Sequence, residues 1–482
     1  MFASQWSKGM IHPPRPSLNQ VERFALMFLL DGALLSLALY VSLWQRKAFD
    51  LTPGHASVSK WFATLWLVWL LTVAVFNLYS RNRIFSRSLK FQVQDAVAAL
   101  FCASAYYLIP RMTPILPGRR LEVLLFPLMA FLVILFVRLG VVSRLRRALL
   151  TKRVVIYGAG RAASSLMAVL AASADRRQAN LEFEVRALLD DDPEKKGMRL
   201  NGVEVRGGLD QLIPCLHQEE PHELILAITN RSTLKLELIQ ALLKLREAGW
   251  SVRSMQAVYE EVSGKIPVDH IGDVFSALFD HPKTPFFRLY CLLNVLINRT
   301  IGLVGSFLTT ALVPVILLGN LFWSRGPLMY VQERVGLGGS IFRIYKFRSM
   351  IPQAEQLSGA VWAKKDDERI TPFGRFLRKS RLDELPQFFN ILKGDMLLIG
   401  PRPERPEFVH QLEKEIPYYN LRHGIKPGVT GWAQTNYPYG ASVEDALEKL
   451  QYDLYYAKYQ NPVLDLSILL KTVGVVMRFR GR

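Results

Sequence analysis

A chain of 482 residues is long enough for several domains, and with half of its residues hydrophobic its mean hydropathy of +0.15 is high for a soluble protein. The formal charge of +19 points to an anionic partner: a phospholipid surface, nucleic acid or a phosphorylated substrate. Three cysteines, Cys102, Cys215 and Cys291, stand in no C-x-x-C or metal-ligand spacing, which excludes a disulfide framework and a zinc site and puts the soluble parts in the cytosol.

No signal peptide is expected at the N-terminus, because Asn19 and Gln20 precede the first apolar run and no small-residue cleavage site follows it. Four apolar stretches come first, at 24–44, 61–79, 93–109 and 121–142, each near the roughly 20 residues that a spanning helix needs. Lys and Arg are richest in the tail (Lys8, Arg15, Arg23), in the second loop (Arg81, Arg83, Arg87, Lys90) and after the fourth stretch (Arg144, Arg146, Arg147, Lys152, Arg153). That excess puts the N-terminus and everything after residue 145 in the cytoplasm. Residues 1–148 are therefore expected to form a four-helix transmembrane bundle. Asp31, Asp95 and Arg138 fall inside or at the edge of the spans. They are expected to pair within the bundle or to snorkel, although an intramembrane charge also raises a functional reading.

Next, Lys152-Arg153-Val154-Val155-Ile156-Tyr157 runs into the turn Gly158-Ala159-Gly160-Arg161-Ala162-Ala163. An apolar strand, a Gly-x-Gly-x-x-Ala turn and a helix open a dinucleotide-binding fold, so residues 149–275 are expected to be an α/β Rossmann-like domain. Further strands are expected at 183–189, 203–205 and 223–228. Gly158 and Gly160 are the candidate cofactor-binding positions, and Asp190 is the strand-end acid that could meet a ribose. The chain contains no Tyr-x-x-x-Lys pair. A regulatory or purely structural role therefore fits this domain better than dehydratase or reductase chemistry.

Residues 287–323 turn apolar again around Asn298-Arg299 and Pro314. A fifth spanning helix would carry the following residues out of the cytoplasm. The alternative, preferred for that reason, is a linker and re-entrant helix over 276–324 that bends at Pro314, where Thr309 and Thr310 hydroxyls help satisfy freed backbone groups.

The remaining residues, 325–482, are polar, basic and rich in turns, and their centre is the pair Asp383-Glu384. Arg375, Arg378, Lys379 and Arg381 precede it, and Pro386 and Gly394 bracket a short apolar run. Pro386 suits the first turn of a helix and Gly394 its end, which puts both carboxylates at a helix N-terminus. Neighbours on a helix point about 100° apart, so the two should do different jobs. An acidic cap with basic neighbours is the plainer reading of this stretch taken alone. Residues 463–479 alternate apolar clusters with Asp465, Lys471 and Arg478, a pattern that suits an interfacial helix.

Six blocks in this order carry a resemblance: Gln332-Glu333-Arg334-Val335-Gly336, Tyr345-Lys346-Phe347-Arg348-Ser349-Met350, Leu382-Asp383-Glu384-Leu385-Pro386-Gln387, Gly394-Asp395-Met396, Gly400-Pro401-Arg402-Pro403 and Lys426-Pro427-Gly428-Val429-Thr430-Gly431. Over roughly 290–482 the chain resembles the bacterial sugar transferase domain of the monotopic polyprenol-phosphate phosphoglycosyltransferases. The spans and Rossmann-like domain ahead of it look like the large form of that family. The resemblance implies a mixed α/β monotopic catalytic domain in a bacterial inner membrane. It also implies transfer of a hexose-1-phosphate from a UDP-sugar to undecaprenyl phosphate, with release of UMP, at the start of surface or exopolysaccharide synthesis. Glucose and galactose are the common sugars, and glucose is the expected one.

By position, Asp383 would be the nucleophile that forms a covalent phosphosugar, and Glu384 would assist with Mg²⁺ or the acceptor; both are the candidate metal ligands. An ordinary Asp, with a pKa of about 3.9, is ionised at neutral pH and needs no base to attack phosphorus. It does need charge relief from Mg²⁺ and from basic groups, for which Lys346, Arg348, Arg375 and Arg402 are the candidates. Membrane lipid is an expected partner, a homodimer is a family-level expectation, and no nucleic acid is expected. The family's serine before the bend proline is Val313 here, and its acid at the helix start is replaced by Asn298-Arg299-Thr300-Ile301-Gly302. Two other readings stay open. A membrane-tethered nucleotide-sugar-modifying enzyme would turn over a nicotinamide cofactor, and a non-catalytic scaffold for polysaccharide assembly would tolerate Asp383→Ala.

Overall fold

A computed structural model describes residues 20–45, 55–76, 78, 89–109, 112–114, 120–142, 151–175, 182–228, 235–270, 285–323, 326–352, 367–437, 440 and 442–477. The chain divides into two compact units, Met1–Ser263 and Gly264–Arg482. The basic residues Lys8, Arg15, Arg81, Arg83, Arg87, Arg144, Arg146 and Arg147, on which the expected orientation rests, lie outside the described residues, as do the side chains of Arg23 and Lys90.

In the first unit, helices α1 (Gln20–Gln45), α2 (His55–Phe76), α3 (Leu89–Tyr106) and α4 (Arg120–Val137) share one apolar core that includes Leu35, Leu39, Trp69, Phe126 and Ile134. Ala96, Ala99, Cys102 and Ala103 recur at helical spacing on α3 and are fully buried, so small side chains let its neighbours approach closely. Among the described residues, three helices are long and apolar enough to cross a membrane: Ala25–Gln45, Glu122–Gly140 and Phe287–Trp323. The stretches expected at 61–79 and 93–109 appear as the shorter apolar helices Val58–Val73 and Asp95–Tyr106. On α3 the polar residues Gln92 and Asp95 shorten the apolar run. The three charged residues pair as expected. Arg138, at the start of a π-helical turn (Arg138–Val142), bonds Asp31 at 2.6 Å and reaches Asp95 at 3.3 Å, all three buried.

The rest of this unit is mixed α/β. Strand β1 (Thr151–Tyr157) leads into α5 (Arg161–Asp175) and β2 (Glu182–Leu189); a short hairpin follows, β3 (Arg199–Leu200) with β4 (Val203–Glu204). Then come α6 (Leu212–Glu219), β5 (Glu223–Leu226), α7 (Leu236–Glu247), β6 (Ser251–Ser254) and α8 (Met255–Ser263). The sheet order is β2-β1-β5-β6, parallel throughout. Parallel pairs need crossovers, and α5 and α7 supply them. Alternation along β1 sends Val154 and Ile156 into a core with α5 and α8, and Val155 and Tyr157 into a core with α6 and α7. Strand β6, whose burial is mixed, was not among the expected strands.

The second unit is built on α9 (Pro285–Trp323), 39 residues and about 58 Å long at 1.5 Å per residue. It runs through Pro314 as one continuous helix. The Thr309 and Thr310 hydroxyls bond carbonyls four residues back, Gly305 at 2.7 Å and Ser306 at 2.9 Å, rather than groups freed by the proline. A hairpin of β7 (Met329–Val335) and β8 (Ile341–Phe347) follows. Next are α10 (Pro372–Ser380), α11 (Gln387–Lys393), β9 (Leu397–Ile399), α12 (Pro406–Glu415) and β10 (Gly428–Thr430), with β10 parallel to β9. The unit closes with α13 (Trp432–Asn436), α14 (Val443–Tyr459) and α15 (Pro462–Met477).

One face of α9 follows these elements along its length. Tyr290 donates to Asp465 of α15 at 2.6 Å, Asn298 accepts from the Leu398 N–H of β9 at 2.6 Å, and Asn320 accepts from Arg348 at 2.8 Å. The opposite face exposes Leu292, Leu296, Phe307, Val315 and Phe322. Such a one-sided apolar surface needs a cover.

Candidate active site

The dyad sits on a turn that the chain is forced to make. Thr371 caps α10 by accepting the Gly374 N–H at 3.0 Å, and Pro372 fills the first helical position. The helix ends at Arg381, a non-glycine residue in left-handed backbone with φ +59°. The reversal leaves Leu382–Glu384 as a single 3₁₀ turn. Leu382 and Leu385 flank the dyad and pack with Phe347, Leu377 and Ile316, which anchors the turn on both sides. Gly394 ends α11 in left-handed backbone as expected, but Pro386 stands one residue before the helix rather than in its first turn. The carboxylates therefore lie on their own turn ahead of α11.

Glu384 accepts from Arg402 at 3.0 Å and lies 3.5 Å from Lys346 and 3.4 Å from Arg381. Burial alone would raise its carboxyl, but Arg402, Lys346 and Arg381 together hold it well below the usual carboxylate range. Asp383 is buried, and its Oδ1 has no hydrogen-bond partner among the described residues. Burial, and after it the charge of Glu384, pushes Asp383 up to about 6, against Lys346, Arg378 and Arg381. Asp383 is thus not the ordinary aspartate expected from sequence, although it is still about nine-tenths ionised at pH 7. Burial pulls the Lys346 ammonium below its ordinary range, against the charge of Glu384.

Of the four candidate phosphate-binding cations, the fold brings Lys346 of β8 and Arg402 of the Pro401–Pro403 segment to the dyad. Arg348 instead holds the end of α9, donating to the Pro327 carbonyl at 2.6 Å and to Asn320 at 2.8 Å. Arg375 is exposed on α10. One turn on, Arg378 bonds Ser349 at 2.8 Å and is the α10 guanidinium whose charge acts on Asp383. The i, i+3 spacing of Arg375 and Arg378 puts both on one side of the helix, and only the packing of the following turn distinguishes them.

Among the described residues, no group of three or more His, Cys, Asp or Glu side chains is gathered for a metal. Magnesium needs less, one or two carboxylates alongside substrate phosphates. The unpartnered, buried Asp383 oxygen meets that requirement, whereas both Glu384 oxygens already face cations.

In the first unit, Gly158 has φ +106°, and a Cβ there would come within 3.0 Å of the Ala227 backbone, whereas one at Gly160 would meet open space. The Asp190 carboxylate accepts the Ala159 N–H of this turn at 2.7 Å and also bonds Lys195 at 3.1 Å.

The model of the family described as bacterial sugar transferase matches residues 289–479, which include the dyad turn and every cation around it. A Bacillus subtilis protein whose name proposes an undecaprenyl-phosphate N-acetylgalactosaminyl 1-phosphate transferase is 50% identical over 123 residues, 26% of this chain and 68% of that protein. The chain belongs to the bacterial sugar transferase family. The chain is also 39% identical over 231 residues to the UDP-N-acetylgalactosamine-undecaprenyl-phosphate N-acetylgalactosaminephosphotransferase of Aeromonas hydrophila, a match covering 47% of this chain and 52% of that one. It is 33% identical over 315 residues to the UDP-glucose:undecaprenyl-phosphate glucose-1-phosphate transferase of Klebsiella pneumoniae, covering 62% and 63%. The matched length is thus about half to two thirds of these relatives, and their names differ in the sugar.

One residue of the candidate site has no local signal in the sequence. Arg422 is buried, donates to the Arg402 carbonyl at 3.0 Å and to Tyr419, and pairs with Asp453 at 2.7 Å. It fixes the backbone from which Arg402 reaches Glu384, yet its carboxylate partner lies 31 residues downstream.

Proposed function

We propose that this sugar transferase moves a sugar-1-phosphate from a UDP-sugar to undecaprenyl phosphate, releases UMP and so begins a surface or exopolysaccharide repeat unit. The observation that carries the reading is the division within the dyad: Glu384 is neutralised by Arg402, Lys346 and Arg381, while Asp383 keeps an unpartnered oxygen. In the first step an Asp383 oxygen forms a bond to the sugar-bearing phosphorus while the bridging bond to UMP breaks, and the bond pair leaves with UMP. In the second, an oxygen of the polyprenyl phosphate attacks the same phosphorus and displaces the Asp383 carboxylate, giving the polyprenyl diphosphate sugar. Arg402, Lys346 and Arg381 keep Glu384 ionised and leave net positive charge beside the diphosphate. Asp383, through its unpartnered oxygen, would hold Mg²⁺, which would supply further charge neutralisation.

The membrane arrangement belongs to the same proposal. Residues 1–148 form the four-span bundle of a protein of the bacterial inner membrane, 149–263 a Rossmann-like cytoplasmic domain, 276–324 the linker and membrane helix, and 325–482 the catalytic domain, whose core also takes Ile266 and Val268 from the range expected for the Rossmann-like domain. Contacts from Tyr290 to Asn320 favour a helix that stays with the catalytic domain on one side of the bilayer. A single crossing of the roughly 30 Å hydrocarbon core would strip one arm of those contacts.

The test is UMP release by the purified full chain in nanodiscs with undecaprenyl phosphate and Mg²⁺, offered UDP-glucose, UDP-galactose or UDP-N-acetylgalactosamine. Wild type is expected to release UMP with one of them and Asp383→Asn to lose at least about a thousandfold, as for removal of a nucleophile. Equal release by both proteins would end the assignment of Asp383. No release from folded, lipid-bound wild type with any sugar would end the transferase reading and favour the scaffold.

A further inference from the structure

Two adjacent threonines on α9 do different things. Both hydroxyls bond carbonyls of their own helix four residues back. Thr310 is exposed on the apolar side of α9, whereas Thr309 is 1% exposed and shares its one hydroxyl proton between the Gly305 carbonyl at 2.7 Å and the Leu385 carbonyl at 3.2 Å. Leu385 directly follows Glu384, and its carbonyl already accepts the Phe388 N–H at 3.0 Å, the bond that joins the dyad turn to α11. Around Thr309 the two helices lie unusually close. A Cβ on Gly305 would come within 2.3 Å of the Phe388 ring, and one on Gly302 within 2.7 Å of the Leu392 backbone. A turn further along, Val313 and Ile316 pack with Leu382 and Leu385 on either side of the carboxylates.

We propose that Thr309 is a positioning residue for the transfer reaction, its hydroxyl tying the dyad turn to the membrane helix through the Leu385 carbonyl. The proposal rests on the transferase reading above. The Cβ approaches and the leucine contacts set the distance of the turn from α9, but they are apolar and do not fix its rotation. The Leu385 branch of the shared Thr309 bond is directional and adds that constraint. Rotation matters because a nucleophilic oxygen must meet phosphorus in line, where a displacement of about 1 Å can cost on the order of a hundredfold. Thr309 touches neither substrate nor the reacting atoms, so its loss should lower kcat and leave KM for the UDP-sugar in place.

The experiment compares wild type, Thr309→Val, Thr309→Ser and Thr310→Val as full chains in nanodiscs, by UMP release over a range of UDP-sugar concentrations. Circular dichroism and nanodisc incorporation check folding. Thr309→Val keeps the shape and removes the donor. It is expected to lose about fivefold in kcat, the effect of one hydrogen bond, with KM within twofold. Thr309→Ser should restore kcat, and Thr310→Val, which loses the same internal bond on the exposed side, should match wild type. If Thr309→Val aggregates, Thr309→Ala against Thr309→Ser makes the same comparison without added bulk. Wild-type kcat in Thr309→Val, or an equal loss in Thr310→Val, overturns the positioning role and leaves the transferase reading standing. Absence of UMP release from wild type overturns both.

Discussion

Asp383 and Glu384 are neighbours with opposite environments, and the difference comes from residues far away in the chain. Lys346 and Arg402 reach Glu384 from β8 and from the segment after β9, while at Asp383 burial and the like charge of Glu384 outweigh Lys346, Arg378 and Arg381. The sign for activity follows. A nucleophilic carboxylate works only when ionised, so kcat/KM should be flat above about pH 7 and fall about tenfold per pH unit once below about 6. Glu384→Gln removes the charge that adds to burial in raising Asp383, so its acidic limb should move to lower pH whatever happens to the plateau. Lys346→Met removes the strongest opposing charge, and its limb should move to higher pH. Profiles measured between about pH 5 and 9 decide this, and limbs that stay together in both variants would uncouple the pair. At this scale the sequence was informative about the dyad, Lys346 and Arg402, because they sit in compact blocks with fixed turns. It could not separate Arg378 from Arg375, show Arg348 turned toward α9, or find Arg422, since each depends on a partner that only folding brings near.

Helix α9 joins the dyad turn on one side to an exposed apolar face on the other. Its length and apolar composition were evident from residues 287–323, and the helix continues through Pro314, because helical bonding resumes on either side of one missing N–H. The sequence could not reveal that small and polar side chains, Asn298, Gly302, Gly305, Thr309 and Asn320, form a seam against α11, β9 and Arg348; in one dimension they read as interruptions of an apolar run. If the seam keeps α9 with the catalytic domain, both helix ends face one side of the membrane. Arg288→Cys and Trp323→Cys, each in a Cys291→Ser background because Cys291 is exposed, should then be modified by an impermeant thiol reagent in inverted membrane vesicles and protected in right-side-out ones. Modification of the two positions from opposite sides would make α9 a spanning helix and place the dyad outside.

The whole molecule separates into parts that solve different problems. The first unit has its own apolar cores and its own buried ion pairs, Arg138 with Asp31 and Lys152 with Glu223, neither of which involves the dyad. In the second unit, Val335, Leu412, Tyr419 and Leu450 form a core behind Arg402 and Arg422, while Ile344, Ile391 and Met396 form another beneath α11. Every bond described to Asp383, Glu384, Arg402 and Thr309 comes from within Gly264–Arg482, and the family match at 289–479 lies inside the same limits. Two cores that close without the first unit, and a dyad whose cations are all local, imply that the chemistry does not need the four N-terminal helices. Residues 264–482 alone, expressed in membranes and reconstituted in nanodiscs, should therefore release UMP with a kcat within about threefold of the full chain, a difference of under 1 kcal/mol in activation energy. A folded, membrane-bound fragment with no activity would overturn that independence.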